Sequence, residues 1–201
     1  MDAWLEIVIR QLMLYSLPVV ISLSVVGMLE SALLPADKRP KNPLHSLTWK
    51  GSWLPFVASI LLGRAVIIAP PRPVEPGVRT ALIHLAAHAV LCIIGWLLYA
   101  WALAHQLPTG LPPLHHWWAK VLMYFNLCMA CLHLLPLPGM LIGEWLFSLK
   151  ALQKIGENIS AYTVWILVLI AALPLLDALT GQTVIFPIYE MLASQAAILS
   201  R

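Results

Sequence analysis

The stretch TALIHLAAHAVLCIIGWLLYAWALA, residues 80–104, decides the fold class. It contains no Asp, Glu, Lys or Arg and exceeds the about 20 residues that an α-helix needs to cross a bilayer. Its apolar residues are continuous, whereas a strand of a membrane β-barrel alternates apolar and polar positions. The stretch therefore predicts a membrane-spanning helix.

The rest of the chain has the same character. Of its 201 residues, 61% are apolar and 10% are Asp, Glu, Lys or Arg, against about 25% charged residues in soluble domains. Further apolar runs cover residues 5–34, 51–69, 121–137 and 161–179. We therefore expect a single membrane-embedded domain over residues 1–201, an all-α polytopic bundle of four to five transmembrane helices. A net charge of +3 is too small to indicate nucleic-acid binding, so membrane lipids are the expected surroundings.

The basic residues predict how these segments are oriented, because Lys and Arg beside spans favour the cytoplasmic side. If residues 51–69 dip into the membrane and return, one face holds a basic set consisting of Lys38, Arg39, Lys41, Lys50, Arg72, Arg79, Lys150 and Lys154. If that segment crosses instead, the basic residues divide almost evenly between the two faces. The charge asymmetry therefore favours a re-entrant hairpin, with five full spans as the alternative.

Ionisable side chains inside apolar runs are costly and need a reason. His84 and His88 form H-L-A-A-H, which has the ligand spacing of the zinc motif H-E-x-x-H but holds Leu85 in place of its glutamate. One interpretation is a zinc site with a third ligand from His133, Glu144 or Glu30. The other is a set of neutral imidazoles that hydrogen-bond between helices.

The position of each ionisable residue along its run predicts which of them share a membrane side. The runs that carry His84 and His133 are antiparallel neighbours, which places both histidines on the same side. Under the hairpin topology Glu30 joins them. His45 and His105 lie in polar connecting segments, where solvated side chains are expected.

One segment resembles a known family. NLCMACLHLLPLPGMLIG, residues 126–143, is similar to N-L-x-L-A-x-F-N-L-L-P-I-P-P-L-D-G-G of the site-2 protease family of intramembrane zinc metalloproteases. The stretch NPLH at residues 42–45 and the proline-rich residues 69–76 resemble the family's N-P-L-x-H stretch and its K-P-V-P-V-N loop. The resemblance covers about residues 18–195 and implies the membrane-embedded helical core of that family.

The positions that carry the family's chemistry differ in this chain. The H-E-x-x-H motif would fall near residues 17–21, which read L-P-V-V-I, and the Asp ligand of L-D-G is replaced by Leu141. Hydrolysis in this family implies a zinc-bound water activated by a carboxylate, and leucine or valine supplies neither function. The resemblance therefore implies a catalytically inactive pseudoprotease without catalytic residues or cofactor. The alternative is an active zinc metallopeptidase with atypical ligands from His84, His88, His133 or Glu144.

The resemblance implies a cleft between helices that holds a transmembrane segment. In an inactive relative, such a cleft persists most simply as a docking surface. We therefore expect a scaffold or accessory subunit that binds transmembrane segments of other integral membrane proteins in a complex, in the bacterial inner membrane. Its contact surface is expected to use small residues and prolines, namely Gly27, Ser31, Ala58, Ser59, Pro136 and Pro138. The alternative is a monomer whose own tail, residues 184–199, fills the cleft.

Two local predictions concern the segment that carries the resemblance. Pro136 and Pro138 remove two backbone donors, which predicts a break in the helix at residues 135–139. Residues near Val20 and Leu141, which match the family's zinc-binding positions, are expected to approach one another and to be sealed by apolar packing.

Overall fold

The computed structural model describes residues 3–42, 44–106 and 112–200, and within these residues it contains helices and no strand. In chain order its α-helices are α1 Ala3–Leu33, α2 Leu54–Leu61, α3 Val78–Ala104, α4 Leu114–Leu132, α5 Leu141–Phe147, α6 Gln153–Ser160, α7 Thr163–Ala172 and α8 Phe186–Leu199. π-helical turns over Trp49–Trp53 and Asp177–Ile185 lead into α2 and α8. The predicted all-α class is confirmed.

Two of the helices, α1 and α3, are long and apolar enough to cross a bilayer. Helices α6 and α7 form a third candidate span if they are taken together, with a bend of 73° between them. Helix α3 leaves Val90, Ile93 and Leu97 exposed, a face that suits lipid rather than water. The structure is therefore compatible with an integral membrane protein.

The core forms where α4 packs against α3 and α1. Met123, Phe125 and Met129 of α4 are fully buried. Helices α3 and α4 approach closely at Gly95, where an added β-carbon would lie 2.5 Å from the backbone nitrogen of Met123. Glycine at this position is what allows the two backbones to come so close.

Residues 51–69 turn back on themselves, which is the course that a re-entrant hairpin requires. Helix α2 has eight residues and is therefore about 12 Å long, well short of a bilayer core. After α2 the chain returns, so that Ser52 Oγ at the start of the hairpin lies 2.8 Å from the carbonyl oxygen of Pro70 at its end. At the tip, the Asp177 carboxylate accepts the backbone N–H of Val66 at 2.8 Å. The hairpin places the proline-rich segment that follows it near the end of α1.

The chain breaks after α4, as the two prolines predict. Helix α4 ends at Leu132 and α5 begins at Leu141, so the intervening residues are turns. Gly139 takes a φ of +82°, a conformation that favours glycine. A β-carbon on Gly143 would collide with the carbonyl group of Leu137, which shows how tightly the turn packs against α5. This turn positions His133 and Leu141 beside one another.

Candidate functional site

Ionisable side chains from three parts of the chain meet inside the protein. Glu30 lies in the last turn of α1, His84 and His88 lie on one face of α3, and His133 follows α4 directly. Their exposed fractions are 0%, 1%, 0% and 0%. Together with the buried Asn126 of α4 they form what we call the polar cluster. The prediction that His84, His88, His133 and Glu30 share one side of the bundle is confirmed.

The hydrogen bonds of Asn126 determine which nitrogen of His88 carries the proton. The Asn126 side-chain nitrogen donates to Ser22 Oγ and to the carbonyl oxygen of Leu122, each at 2.8 Å. Its oxygen Oδ1 therefore faces Nδ1 of His88 at 2.8 Å and accepts a proton from it. The neutral ring then has its lone pair on Nε2. Here the imidazole does bond between helices, as one interpretation predicts, but with only one of its two nitrogens.

The two carboxylate oxygens of Glu30 contact three groups. Oε1 accepts the backbone N–H of Val74 at 2.8 Å, and Oε2 lies 2.8 Å from His45 Nε2 and 3.2 Å from His84 Nε2. The other ring nitrogen of His45 lies 3.0 Å from the carbonyl oxygen of Asn42. The ring of His45 thereby joins the Glu30 carboxylate to the loop at Asn42.

His45 is thus a residue whose role the sequence did not indicate. It was expected in solvent, whereas its side chain is 17% exposed and bound to a fully buried carboxylate. A histidine in a short polar loop carries no periodicity that could assign it to the protein interior. The only signal was its place in the NPLH stretch at residues 42–45.

His133 joins the cluster to the position that matches the family's Asp ligand. The backbone N–H of Leu141 donates to His133 Nδ1 at 3.3 Å, and that of Ile142 donates to the His133 carbonyl oxygen at 3.2 Å. A buried imidazole thus lies against the backbone of Leu141, while the apolar seal expected between Val20 and Leu141 stays a prediction.

Two nitrogens of the cluster have no hydrogen-bond partner within the described structure, His88 Nε2 and His133 Nε2. The rings approach one another, with centroid distances of 6.2 Å between His88 and His133 and 6.4 Å between His84 and His133. Among the described residues, no group of three or more His, Cys, Asp or Glu side chains is already spaced to hold a metal ion. Glu144, the other predicted ligand, instead accepts the backbone N–H of Gly139 at 2.6 Å.

An open groove of about 740 Å³ lies beside the polar cluster. One wall is the proline-rich segment 70–76, and the others come from the turn 138–140 and the start of α7. Val74 lines the groove while its N–H binds Glu30, which makes the cluster and the groove neighbours. Trp49 and Trp165 also line the groove and are 63% and 64% exposed.

The tail of the chain does not fill the groove. Trp96 Nε1 of α3 donates to the carbonyl oxygen of Leu192 in α8 at 2.8 Å. The ring of Tyr189 packs edge-on against Tyr124 of α4, with centroids 5.1 Å apart. Within the described residues, none of α8 lines the groove. Helix α8 thus packs against α3 and α4 rather than in this groove, and the alternative of a monomer whose tail fills the cleft stays a prediction.

The residues predicted to bind a partner are mostly used inside the chain. Gly27, Ser59 and Pro138 are buried, Ser31 and Ala58 are half-buried, and Pro136 is exposed. The hydroxyls of Ser31 and Ser59 donate to backbone carbonyl oxygens of their own helices. Of this set, Pro138 alone lines the groove within the described structure. Small residues at these positions serve internal packing first.

Comparison of the chain with protein-family models, with curated proteins and with solved structures gives no match. The polar cluster and the groove beside it are the candidate functional features of this chain.

Proposed function

We propose that this protein is a non-catalytic membrane scaffold that holds an apolar segment of a partner membrane protein in the groove. The observation that carries the proposal is that the groove remains open while the chain's own tail packs elsewhere, on α3 and α4. An apolar groove of this size inside a bundle needs an occupant, since unfilled space forfeits packing contacts. The proposal treats the chain as a degenerate relative of the site-2 protease family.

The chemistry of the groove favours a protein segment over a lipid chain. Its walls are mainly apolar, but they also carry Arg72 and the half-buried Glu144. The two exposed tryptophans, Trp49 and Trp165, offer the large amphipathic surfaces that anchor protein interfaces. An acyl chain satisfies the apolar walls alone, whereas a peptide segment also supplies partners for the charged groups.

We place the protein in the bacterial inner membrane with four or five spans. Helices α1, α3 and α4 and the bent pair α6–α7 supply four of them, and α2 with the irregular segment that follows it forms a re-entrant hairpin. Helix α4 is less apolar than the others because His115, His116 and Lys120 lie in its first two turns. Helix α4 packs closely against α3 and α1, which supports a transmembrane orientation for α4 as well.

The alternative function, an active intramembrane zinc metalloprotease, is supported less well. A catalytic zinc keeps an open coordination position for water. The side chains of His84, His88 and His133 are at most 1% exposed, and Met140, at 3%, belongs to the turn between His133 and the groove. Glu144 lines the groove but is engaged by Gly139. The histidines thus lack the solvent access that hydrolysis requires.

A photo-crosslinking amino acid placed at Trp165 tests the scaffold proposal in native membranes. We expect discrete crosslinks to another membrane protein, because this position lines the groove. The matched control is the same substitution at Ile93, which is 57% exposed on the lipid-facing side of α3. Enlarging a groove residue by Val164→Trp should remove the Trp165 crosslink and leave the fold intact. Crosslinks to lipid alone at both positions would overturn the proposal.

A further inference from the structure

The scaffold function leaves the polar cluster unexplained. A fully buried carboxylate and three buried imidazoles are expensive inside a membrane bundle, and two imidazole nitrogens lack any partner in the described structure. Each buried polar atom without a partner costs about 1–3 kcal/mol. The two unpaired nitrogens belong to neighbouring rings. This indicates one partner that binds both nitrogens rather than two unrelated unsatisfied groups.

The separation between Glu30 and His84 suits two ligands of one ion as well as it suits a hydrogen bond. A charge-assisted N–H···O bond is normally about 2.7–2.9 Å long, and Glu30 Oε2 lies 3.2 Å from His84 Nε2. Two ligand atoms on a tetrahedral zinc ion, each bound at about 2.0 Å, lie about 3.3 Å apart. The observed separation therefore matches the edge of a zinc tetrahedron.

The other two histidines, His88 and His133, can also bind an ion through Nε2. His88 donates its Nδ1 proton to Asn126, and its Nε2 lone pair is free. Metal-binding histidines characteristically donate the second ring N–H to a carbonyl or carboxylate in this way, which fixes the tautomer. His133 Nε2 is likewise without a partner in the described structure. All three rings can thus present Nε2.

We propose that a divalent transition metal ion of the zinc type binds Glu30 Oε2 and the Nε2 atoms of His84, His88 and His133. Imidazole and carboxylate ligands without a thiolate suit zinc among the divalent metals. Four protein ligands leave no open position, which is the arrangement of a structural site. The ion would join α1, α3 and the chain after α4, and this inference goes beyond the scaffold function because it does not depend on any partner.

Two side-chain adjustments accompany binding. Imidazole centroids on one tetrahedral zinc ion lie about 5 Å apart. The observed centroid distances are 6.2 and 6.4 Å, so the rings move inward. His133 can bind through Nε2 only with its proton on Nδ1, so the 3.3 Å contact from the Leu141 N–H is given up. That contact is at the long end of the hydrogen-bond range, which makes it a weak competitor.

Metal analysis of the full-length protein, purified in detergent without chelator, tests the site. We expect about one zinc ion per chain, as a closed four-ligand site predicts. His88→Asn and His133→Asn should lower the metal content at least about tenfold. The control His105→Asn, at an exposed histidine at the opposite end of α3, should retain it. Equal metal in all four proteins would mean an adventitious ion only and would overturn the proposal.

Cobalt substitution of the wild-type protein keeps the test independent of variant folding. Co²⁺ added to metal-stripped protein should give the intense visible absorption of a tetrahedral site, and Glu30→Gln should shift those bands. Absence of tetrahedral absorption in the wild-type protein sinks the proposal whether or not the variants fold. Crosslinking from Trp165 reports on the scaffold function separately, so either idea can fail alone.

Discussion

At the scale of single residues, Glu30 contacts three partners from three parts of the chain. One carboxylate binds the backbone of Val74 and the rings of His45 and His84, which links α1 to the proline-rich segment, to the loop before the hairpin and to α3. A buried charge with this many partners is stabilising only while all of them are in place.

Removing the Glu30 carboxylate should therefore be far more damaging than removing a surface carboxylate. We expect Glu30→Ala to lower the free energy of unfolding by about 3–5 kcal/mol, because it leaves His45 and the Val74 N–H unpaired. Glu75→Ala is the control, since its ion pair with Lys38 is exposed and should contribute little. Denaturant unfolding in detergent, with chelator present to exclude any bound metal, measures both. Equal effects would contradict this account.

Gly95 is the second residue on which the bundle depends. Gly95→Ala should destabilise the protein by about 1–3 kcal/mol, because the new methyl group meets the backbone of Met123 and not a movable side chain. Ala89→Leu enlarges an exposed position on the same helix and should have little effect. Thermal unfolding of the two variants in the same detergent compares them. An unchanged unfolding temperature in Gly95→Ala would show that α3 and α4 can move apart without loss of stability.

At the scale of elements, the hairpin and the break after α4 both bring irregular backbone into the bundle. Backbone groups at membrane depth must be paired within the protein. Here Asp177 accepts the N–H of Val66, and Tyr124 donates its hydroxyl to the carbonyl oxygen of Ala65 at 2.8 Å. Residues 66–69 are at most 2% exposed. These contacts pair the backbone groups of an irregular segment inside the protein.

The two ends of the hairpin should therefore be accessible from one side of the membrane. Lys38 and Glu75 already form an ion pair of 2.7 Å across them. We expect Pro40→Cys and Glu75→Cys to react with an impermeant thiol reagent from the same side. The natural cysteines Cys92, Cys128 and Cys131 are buried and provide a low background. Labelling of the two positions from opposite sides would require residues 51–69 to cross completely.

At the scale of the whole molecule, the tail and the groove are separate. Helix α8 binds the α3–α4 face through the Trp96 hydrogen bond and the Tyr124–Tyr189 contact, while the groove lies among the hairpin, the turn 138–140 and α7. Within the described residues, the groove and the tail therefore share no lining residue.

This separation predicts that loosening the tail leaves the groove unchanged. Trp96→Phe removes the hydrogen bond to Leu192 while keeping an aromatic ring. We expect faster amide hydrogen exchange in α8, because a net hydrogen bond of about 0.5–1.5 kcal/mol is lost. Crosslinking from Trp165 should be unaltered. A loss of that crosslink in the Trp96→Phe protein would show that tail and groove are coupled.

Part of the site could be predicted from the sequence because its signals are local. The i, i+4 spacing of His84 and His88 places both on one helix face, and the direction of successive runs places His133 at the same level. The partners of those rings could not be predicted. Asn126, Ser22 and His45 are far from the α3 histidines along the chain, and no periodicity connects them.

The sequence by itself determined that this is an all-helical chain with segments long and apolar enough to span a membrane and a break after α4, and its charge asymmetry favoured a hairpin at residues 51–69. Apolar length, charge distribution and proline act over a few neighbouring residues, so they can be read without the fold. Only the tertiary structure decided that Glu30 pairs with His45, that two imidazole nitrogens stay unpaired in its described part, and that α8 leaves the groove open. These features arise from contacts between distant segments, and which donor meets which acceptor depends on how the helices pack.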